Sequence, residues 1–316
     1  MFCSTIIPTV ARPSLERAVR SVLDQELDGA DFEVIVVNDS GRPLGGAAWQ
    51  RSPHVRVIDT NRRERSLARN TGAAVSRGRY LHFLDDDDWL APNALCALKE
   101  LADREVAAWI YGATQLVDRK GRPLIQLRHR LKGNCFLQVM AGEWIPLQSS
   151  LIASQTFFDV GGFHPLLSGP EDIDLLRRVA LTEELAGAEA IVAYVVRGDA
   201  GSTTDYREHS AQSRWARERI LDQPEAFGRL RAAASSRDEW RARIARIYLT
   251  SAVWNLQRGR FSKAISRLTH GFAVLAASAP LLLSGRFWSS LASPYASETF
   301  ARGIAASEKL SPPRSR

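Results

Sequence analysis

Short apolar runs alternate with helical patterns along the first third of the chain. The runs Thr5–Pro8, Glu33–Val37, Val55–Asp59, Tyr80–Leu84 and Ala107–Tyr111 have the length and apolar content of strands. Between them, apolar positions recur at helical spacing. Leu15, Val19 and Val22-Leu23 follow Pro13-Ser14; Leu67, Ala68 and Val75 mark a second helix; Leu95, Leu98 and Leu101 mark a third, with Pro92 in its first turn. Such alternation predicts an α/β fold with a mostly parallel, Rossmann-like sheet and helices on both faces. Ligands on such sheets bind beyond the carboxyl ends of the strands, which directs attention to the polar residues following each one.

Past about residue 115 the pattern is mixed. Asp118-Arg119-Lys120-Gly121-Arg122-Pro123 reads as a turn between two strands, Gly161-Gly162 as a break, Glu171–Ala180 as a short helix and Ile191–Val196 as a further strand. Beyond Asp205 the strand signal vanishes. Trp240–Ala277 reads as two helices joined at Arg258-Gly259-Arg260, and Ala252, Leu256, Gly259, Phe261, Ala264 and Leu268 loosely follow the spacing of one tetratricopeptide helix pair. A single unit is not an array, so residues 1–205 are expected to form the α/β domain and residues 206–316 a helical C-terminal region. The last residues, from Ser311, read as a frayed end.

Composition adds a charge asymmetry. The 316 residues are 45% hydrophobic and 24% charged, which supports a sizeable core and excludes a disordered chain. Residues 206–316 carry 19 Lys and Arg against 8 Asp and Glu, a balance of +11, whereas residues 1–205 carry 23 against 27, a balance of −4. A basic tail on a near-neutral body points to an anionic partner, such as a membrane surface, or else to a solvated Arg-rich face. Cys3, Cys96 and Cys135 are odd in number and in no redox or ligand spacing. With no leader pattern before the first strand-like run, they favour a reducing, cytoplasmic setting. The longest uncharged stretch, Leu268–Gly285, contains His270 and Pro280. It reads as a buried or interfacial helix rather than a spanning one, which allows peripheral contact with the inner face of a membrane.

The strongest chemical signal is Asp85-Asp86-Asp87-Asp88, bracketed by Tyr80–Leu84 and Trp89-Leu90. Neighbouring carboxylates in a partly desolvated site repel by on the order of a few kcal/mol per pair. A divalent cation, Mn²⁺ or Mg²⁺, neutralises such a run and can grip a diphosphate; the bland alternative is a solvated acidic turn. Asn38-Asp39-Ser40-Gly41 follows the second strand, where an acidic residue meets a base or ribose, although these are also turn residues. In Ser66-Leu67-Ala68-Arg69-Asn70-Thr71-Gly72, Arg69 is either a ligand of a phosphate or a base, or a surface arginine. Glu171-Asp172-Ile173-Asp174 opens a helix with three carboxylates: Ser168 and Glu171 fit a capping box, and the alternative reading is that one of these carboxylates is a general base.

Taken in order, these pieces resemble the inverting GT-A-fold glycosyltransferases of family 2 over residues 2–205. The resemblance rests on Ile6-Ile7-Pro8-Thr9, Asn38–Gly41, Ala68–Gly72, Asp85–Asp88 with Trp89, and Gly161-Gly162-Phe163 followed by Glu171-Asp172. It implies transfer of a sugar from a nucleotide-diphosphate donor, a UDP-sugar being the first expectation, to a glycan, lipid-linked or other hydroxyl acceptor in surface polysaccharide or glycoconjugate synthesis. It also implies that Pro8, Thr9, Asp39 and Arg69 contact the nucleotide, with Asp85 or Asp86 near the ribose. Asp87 would bind the metal with Asp85, and Asp172, beside Glu171, would activate the acceptor. Arg197-Gly198-Asp199-Ala200-Gly201-Ser202 looks like the family's Arg-x-His-x-x-Ser segment, with Asp199 a candidate metal ligand where many members have His. Asn38 stands where many have Asp. The rival readings are a metal-dependent phosphoryl-transfer enzyme and a non-catalytic carbohydrate- or membrane-binding scaffold of the same fold. The chain has neither a P-loop nor a dinucleotide-binding glycine pattern, and its tail lacks the interleaved aromatic and basic residues expected of a nucleic-acid binder.

Overall fold

The computed structural model describes residues 1–27, 31–197, 206–232 and 238–292. One nine-stranded sheet organises the first two-thirds of the chain. β1 (Cys3–Thr9), α1 (Leu15–Leu23), β2 (Phe32–Asn38), β3 (Val55–Asp59), α2 (Arg65–Ala74) and β4 (Tyr80–Phe83) form its first half. There β1 pairs in parallel with β2 and β4, and β2 with β3, so Thr9, Asn38 and the residues after Phe83 emerge at one carboxyl edge. β1 and β2 are buried at nearly every position, as strands covered on both faces are.

The second half is antiparallel in part, which makes the sheet mixed. β5 (Trp89–Leu90), α3 (Ala94–Arg104), β6 (Trp109–Val117) and β7 (Pro123–Leu127) are followed by α4 (Phe136–Met140), β8 (Ser150–Ala153), α5 (Ser154–Asp159), α6 (Glu171–Thr182) and β9 (Leu185–Val196). β8 runs antiparallel between β4 and β6, while β9 runs parallel to β6. Two longer strands replace the shorter runs read from sequence: β6 extends through Val117, and β9 begins at Leu185 rather than Ile191. The antiparallel sense of β8 brings the residues that precede it, including Gln148, to the carboxyl edge of β4.

Helices alone follow β9 among the described residues: α7 (Tyr206–Leu221), α8 (Pro224–Ala232), α9 (Asp238–Leu256), α10 (Phe261–Ala276) and α11 (Gly285–Ala292). Ile220, Ala226, Ile244 and Tyr248 from these helices share one core with Phe136 of α4 and Leu176 of α6. The hairpin at Arg258–Arg260 lies where the sequence put it. The stretch Leu268–Gly285, read from sequence as a buried or interfacial helix, is divided among three elements. α10 ends at Ala276, Pro280 falls in a short 3₁₀ turn, and α11 starts anew at Gly285. No described helix is long and apolar enough to cross a membrane.

Candidate functional site

The acidic turn leaves the sheet where the apolar side chains of β4 end. Its four carboxylates divide among several partners, with Asp86 and Asp87 sharing Arg12. Asp85 accepts from the Arg69 guanidinium at 2.6 Å and from the Gln148 amide at 2.9 Å. Asp86 accepts from the Thr9 hydroxyl at 2.5 Å and, with Asp87, from Arg12 at 2.9 and 3.0 Å. Asp88 turns inward and accepts from the Val196 N–H at 2.7 Å, tying the turn to the end of β9. Their proton affinities differ accordingly. Burial would raise Asp85, but the Arg69 and Arg65 cations outweigh it and hold it below the ordinary carboxylate range. Burial lifts Asp86 in spite of the Thr9 and Arg12 bonds. Burial and the Asp85 charge lift Asp87, and burial with the charges of Asp85 and Asp87 lifts Asp88 well above the ordinary carboxylate range.

At the end of β2, Asp39 is buried and braces the loop into α2. It accepts from the Thr60 hydroxyl and from the Arg62 and Glu64 N–H groups, all within 2.8 Å. Burial opposes ionisation there, yet these bonds hold the carboxyl low. Asn38 donates to the Asp59 carboxylate at 2.7 Å. An aspartate at that position would face a second carboxylate, which accounts for this departure from the family pattern.

α2 explains its own motif residue by residue. Arg69 is fully enclosed rather than superficial and joins Asp85 to Glu171, the latter at 3.0 Å. Burial works against the guanidinium charge, but the two carboxylates more than compensate. Asn70 exchanges two bonds with the Phe163 backbone at 2.8 and 2.9 Å, holding the Gly161-Gly162 turn against the helix. At Gly72, an added Cβ would lie 2.5 Å from the Ile6 side chain, so glycine sets how closely α2 approaches β1.

Arg65, Arg69, Asp85, Trp144, Gln148, Glu171, Asp172 and Arg197 line a cleft of about 210 Å³. Among the residues singled out from sequence, the fold thus brings Arg69, Asp85, Glu171, Asp172 and Arg197 together. Pro8, Thr9, Asp39, Asp86 and Asp87 lie outside that lining. Trp144 and Gln148 carried no motif, yet both contact the carboxylates: Trp144 Nε1–H donates to Asp172 at 3.1 Å. Arg12, which clamps Asp86 and Asp87, likewise had no signal beyond its charge. Glu171 is held by Arg69 and, at 3.4 Å, by Arg65. Asp172, in contrast, accepts from two neutral donors among the described residues, Trp144 and the Ile173 N–H. Burial and the adjacent Glu171 charge raise its proton affinity. The capping box does not form: Ser168 pairs with Gln212, and α6 starts at Glu171 with Pro170 at its N-cap position and no side-chain cap.

Among the described residues, no three His, Cys, Asp or Glu side chains converge as a ligand set. Asp199 lies outside those residues. The chemistry of the turn nevertheless fits a hard divalent cation. The Asp85 charge raises the proton affinity of Asp86, Asp87 and Asp88, and the Asp87 charge that of Asp86 and Asp88, a crowding of negative charge that such a cation relieves; Asp87 is open to solvent across 44% of its side chain.

The model of the family described as Glycosyl transferase family 2 matches residues 4–166. The chain is 34% identical over 98 residues to the poly(ribitol-phosphate) beta-N-acetylglucosaminyltransferase TarP of Staphylococcus aureus, covering 29% of this chain and 30% of that protein. It is 36% identical over 114 residues to the succinoglycan biosynthesis protein ExoO of Rhizobium meliloti, covering 35% and 32%. The matched segments thus span about a third of these relatives' own length. The crystal structure of S. aureus TarS 1-349 in complex with UDP-GlcNAc superposes with a TM-score of 0.59 at 14% identity, covering 85% of this chain and 91% of that one.

Proposed function

The chain belongs to glycosyl transferase family 2, and from that premise we propose that it moves a sugar from a nucleotide-diphosphate donor to an acceptor hydroxyl with inversion, using Asp172 as the base. One observation carries the reading: a carboxyl of raised proton affinity shares a single cleft with Asp85, and Arg69 and Glu171 bridge the two. A raised affinity suits a group that must take a proton near neutral pH. Glu171 suits this task less, because two guanidiniums hold it.

Asp172 takes the acceptor's proton as the hydroxyl oxygen forms its bond to the anomeric carbon. The bond from that carbon to the diphosphate breaks on the opposite face, and the nucleoside diphosphate leaves. Arg65 and Arg197 line the cleft and supply positive charge towards a diphosphate. Asp87 and Asp85 would hold Mn²⁺ or Mg²⁺, with Asp199 a further candidate; when bound, the cation stabilises charge on the departing diphosphate. The proposed donor is a UDP-sugar, in line with the UDP-GlcNAc complex of TarS. The proposed acceptor is a surface glycan or lipid-linked hydroxyl, in line with the polysaccharide relatives. The basic C-terminal region, with its +11 balance, would make peripheral contact with an anionic membrane carrying it.

The test is a thermal-shift panel of UDP, GDP, dTDP and CDP, each with and without Mn²⁺. Ligands that bind only the folded state raise its melting temperature. A metal-requiring shift for UDP that is lost in Asp87→Ala is the expected result; a shift for another nucleotide replaces the donor, and no shift for any removes the donor site.

A further inference from the structure

α10 carries apolar residues on two faces. One face, with Ala264, Gly271 and Val274, is buried, and Gly271 packs so closely on α9 that an added Cβ would meet Leu249 at 3.2 Å. The other carries Phe261, Ile265, Leu268 and Phe272, spaced four, three and four residues apart and therefore stacked along one stripe. Phe261 and Ile265 are each 64% exposed and Phe272 60%. Across the hairpin turn, Val253 and Leu256 near the end of α9 are exposed as well. A surface helix ordinarily presents polar residues opposite its buried face, so an apolar outer stripe of this length marks a contact.

The charge around the stripe identifies the partner. From Trp240 to Ala292 the chain has eight Arg and Lys and no Asp or Glu. Lys263 and Arg267 are committed to Asp222. Arg258 and Arg260, at the tip of the hairpin and next to Phe261, are exposed, stack on the Trp254 ring at 4.0 and 5.5 Å, and have no carboxylate partner among the described residues. Apolar side chains beside two cations that no carboxylate of the described residues neutralises match the boundary between anionic headgroups and acyl chains.

We infer that the α9–α10 hairpin docks on an anionic lipid surface, with the Phe261–Phe272 stripe inserted among the acyl chains and Arg258 and Arg260 at the headgroups. This rests on the peripheral contact proposed above and adds apolar insertion to charge. It also moves the contact from Leu268–Gly285, the stretch legible in sequence, to residues 253–272. The helix lies in the interface and does not cross it.

The test is co-sedimentation of the full chain with phosphatidylcholine vesicles, with and without phosphatidylglycerol, at low and high salt. The wild type binds the anionic vesicles and retains part of that binding at high salt. F261S/I265S/F272S loses about tenfold or more of the salt-resistant binding at an unchanged melting temperature, given the apolar area removed. Phe261→Ser alone loses a smaller part, so the result does not depend on the triple variant folding. R258Q/R260Q loses the low-salt component. Binding that salt abolishes and the triple variant retains would leave charge alone and overturn the insertion. A triple variant that dissociates a dimer in size exclusion while binding vesicles normally would assign the stripe to a second copy of the chain. No binding to anionic vesicles at low salt would remove the peripheral contact itself.

Discussion

Arg69→Met isolates the bridge on which the cleft depends. The side chain is 3% exposed, as is that of Glu171, and Asp85 is 23% exposed. Methionine keeps the volume and removes the charge, leaving two carboxylates without their shared partner. Breaking a buried ion pair costs about 3–5 kcal/mol. Because Asp85 is partly solvated and Glu171 keeps Arg65 at 3.4 Å, the lower end applies, about 3 kcal/mol. In a domain of this size that lowers the melting temperature by about 6–12 °C. The pH dependence has a definite sign. Arg69 helps hold Asp85 below its ordinary range, so the stabilisation is present above that range and is lost as pH falls through the depressed value. In the variant, burial instead raises Asp85, and protonation relieves the unpaired charge. The gap between wild type and variant is therefore full at pH 7 and narrows in acid. Melting curves from neutral to acidic pH measure it, and Glu171→Gln in the Arg69→Met background should recover part of the loss. A loss below about 1 kcal/mol, the size of an exposed pair, or a gap unchanged by acid, would refute the bridge.

Two further outcomes follow from single contacts. Trp144→Phe keeps an aromatic ring, though a smaller one, and removes the N–H that helps keep Asp172 ionised, so the acidic limb of the kcat/KM profile should move to higher pH; an unmoved limb would mean that the bond does not tune the base. Gly162→Ala introduces a side chain at φ +65, with its Cβ 2.9 Å from Asn70 Oδ1, and should cost about 1–2 kcal/mol in thermal unfolding.

The parallel half of the sheet and the acidic turn were legible because buried parallel strands are continuous apolar runs, and four adjacent carboxylates stand out in any context. The hairpin at Gly259 was legible from periodicity on both sides. Trp144 and Gln148 were not, because they reach the cleft through the antiparallel sense of β8 and the loop before it, and pairing between distant strands leaves no local mark. The enclosure of Arg69 was hidden for the same reason: its partners lie 16 and 102 residues away. Ser168 misled because a capping spacing is local, while its partner Gln212 sits on α7. The apolar outer face of α10 is written in the spacing of Phe261, Ile265, Leu268 and Phe272, but the same pattern describes a buried face until the fold shows which side α9 covers.

The most direct test of the proposed chemistry is the release of nucleoside diphosphate from a panel of nucleotide sugars by the wild type and by Asp172→Asn, with nucleotide binding followed in parallel. Loss of a general base costs about 10²- to 10⁴-fold. The account predicts that the wild type consumes one donor class, and that Asp172→Asn binds the same nucleotide but turns the donor over slower by that factor. Equal turnover by the two proteins would contradict it.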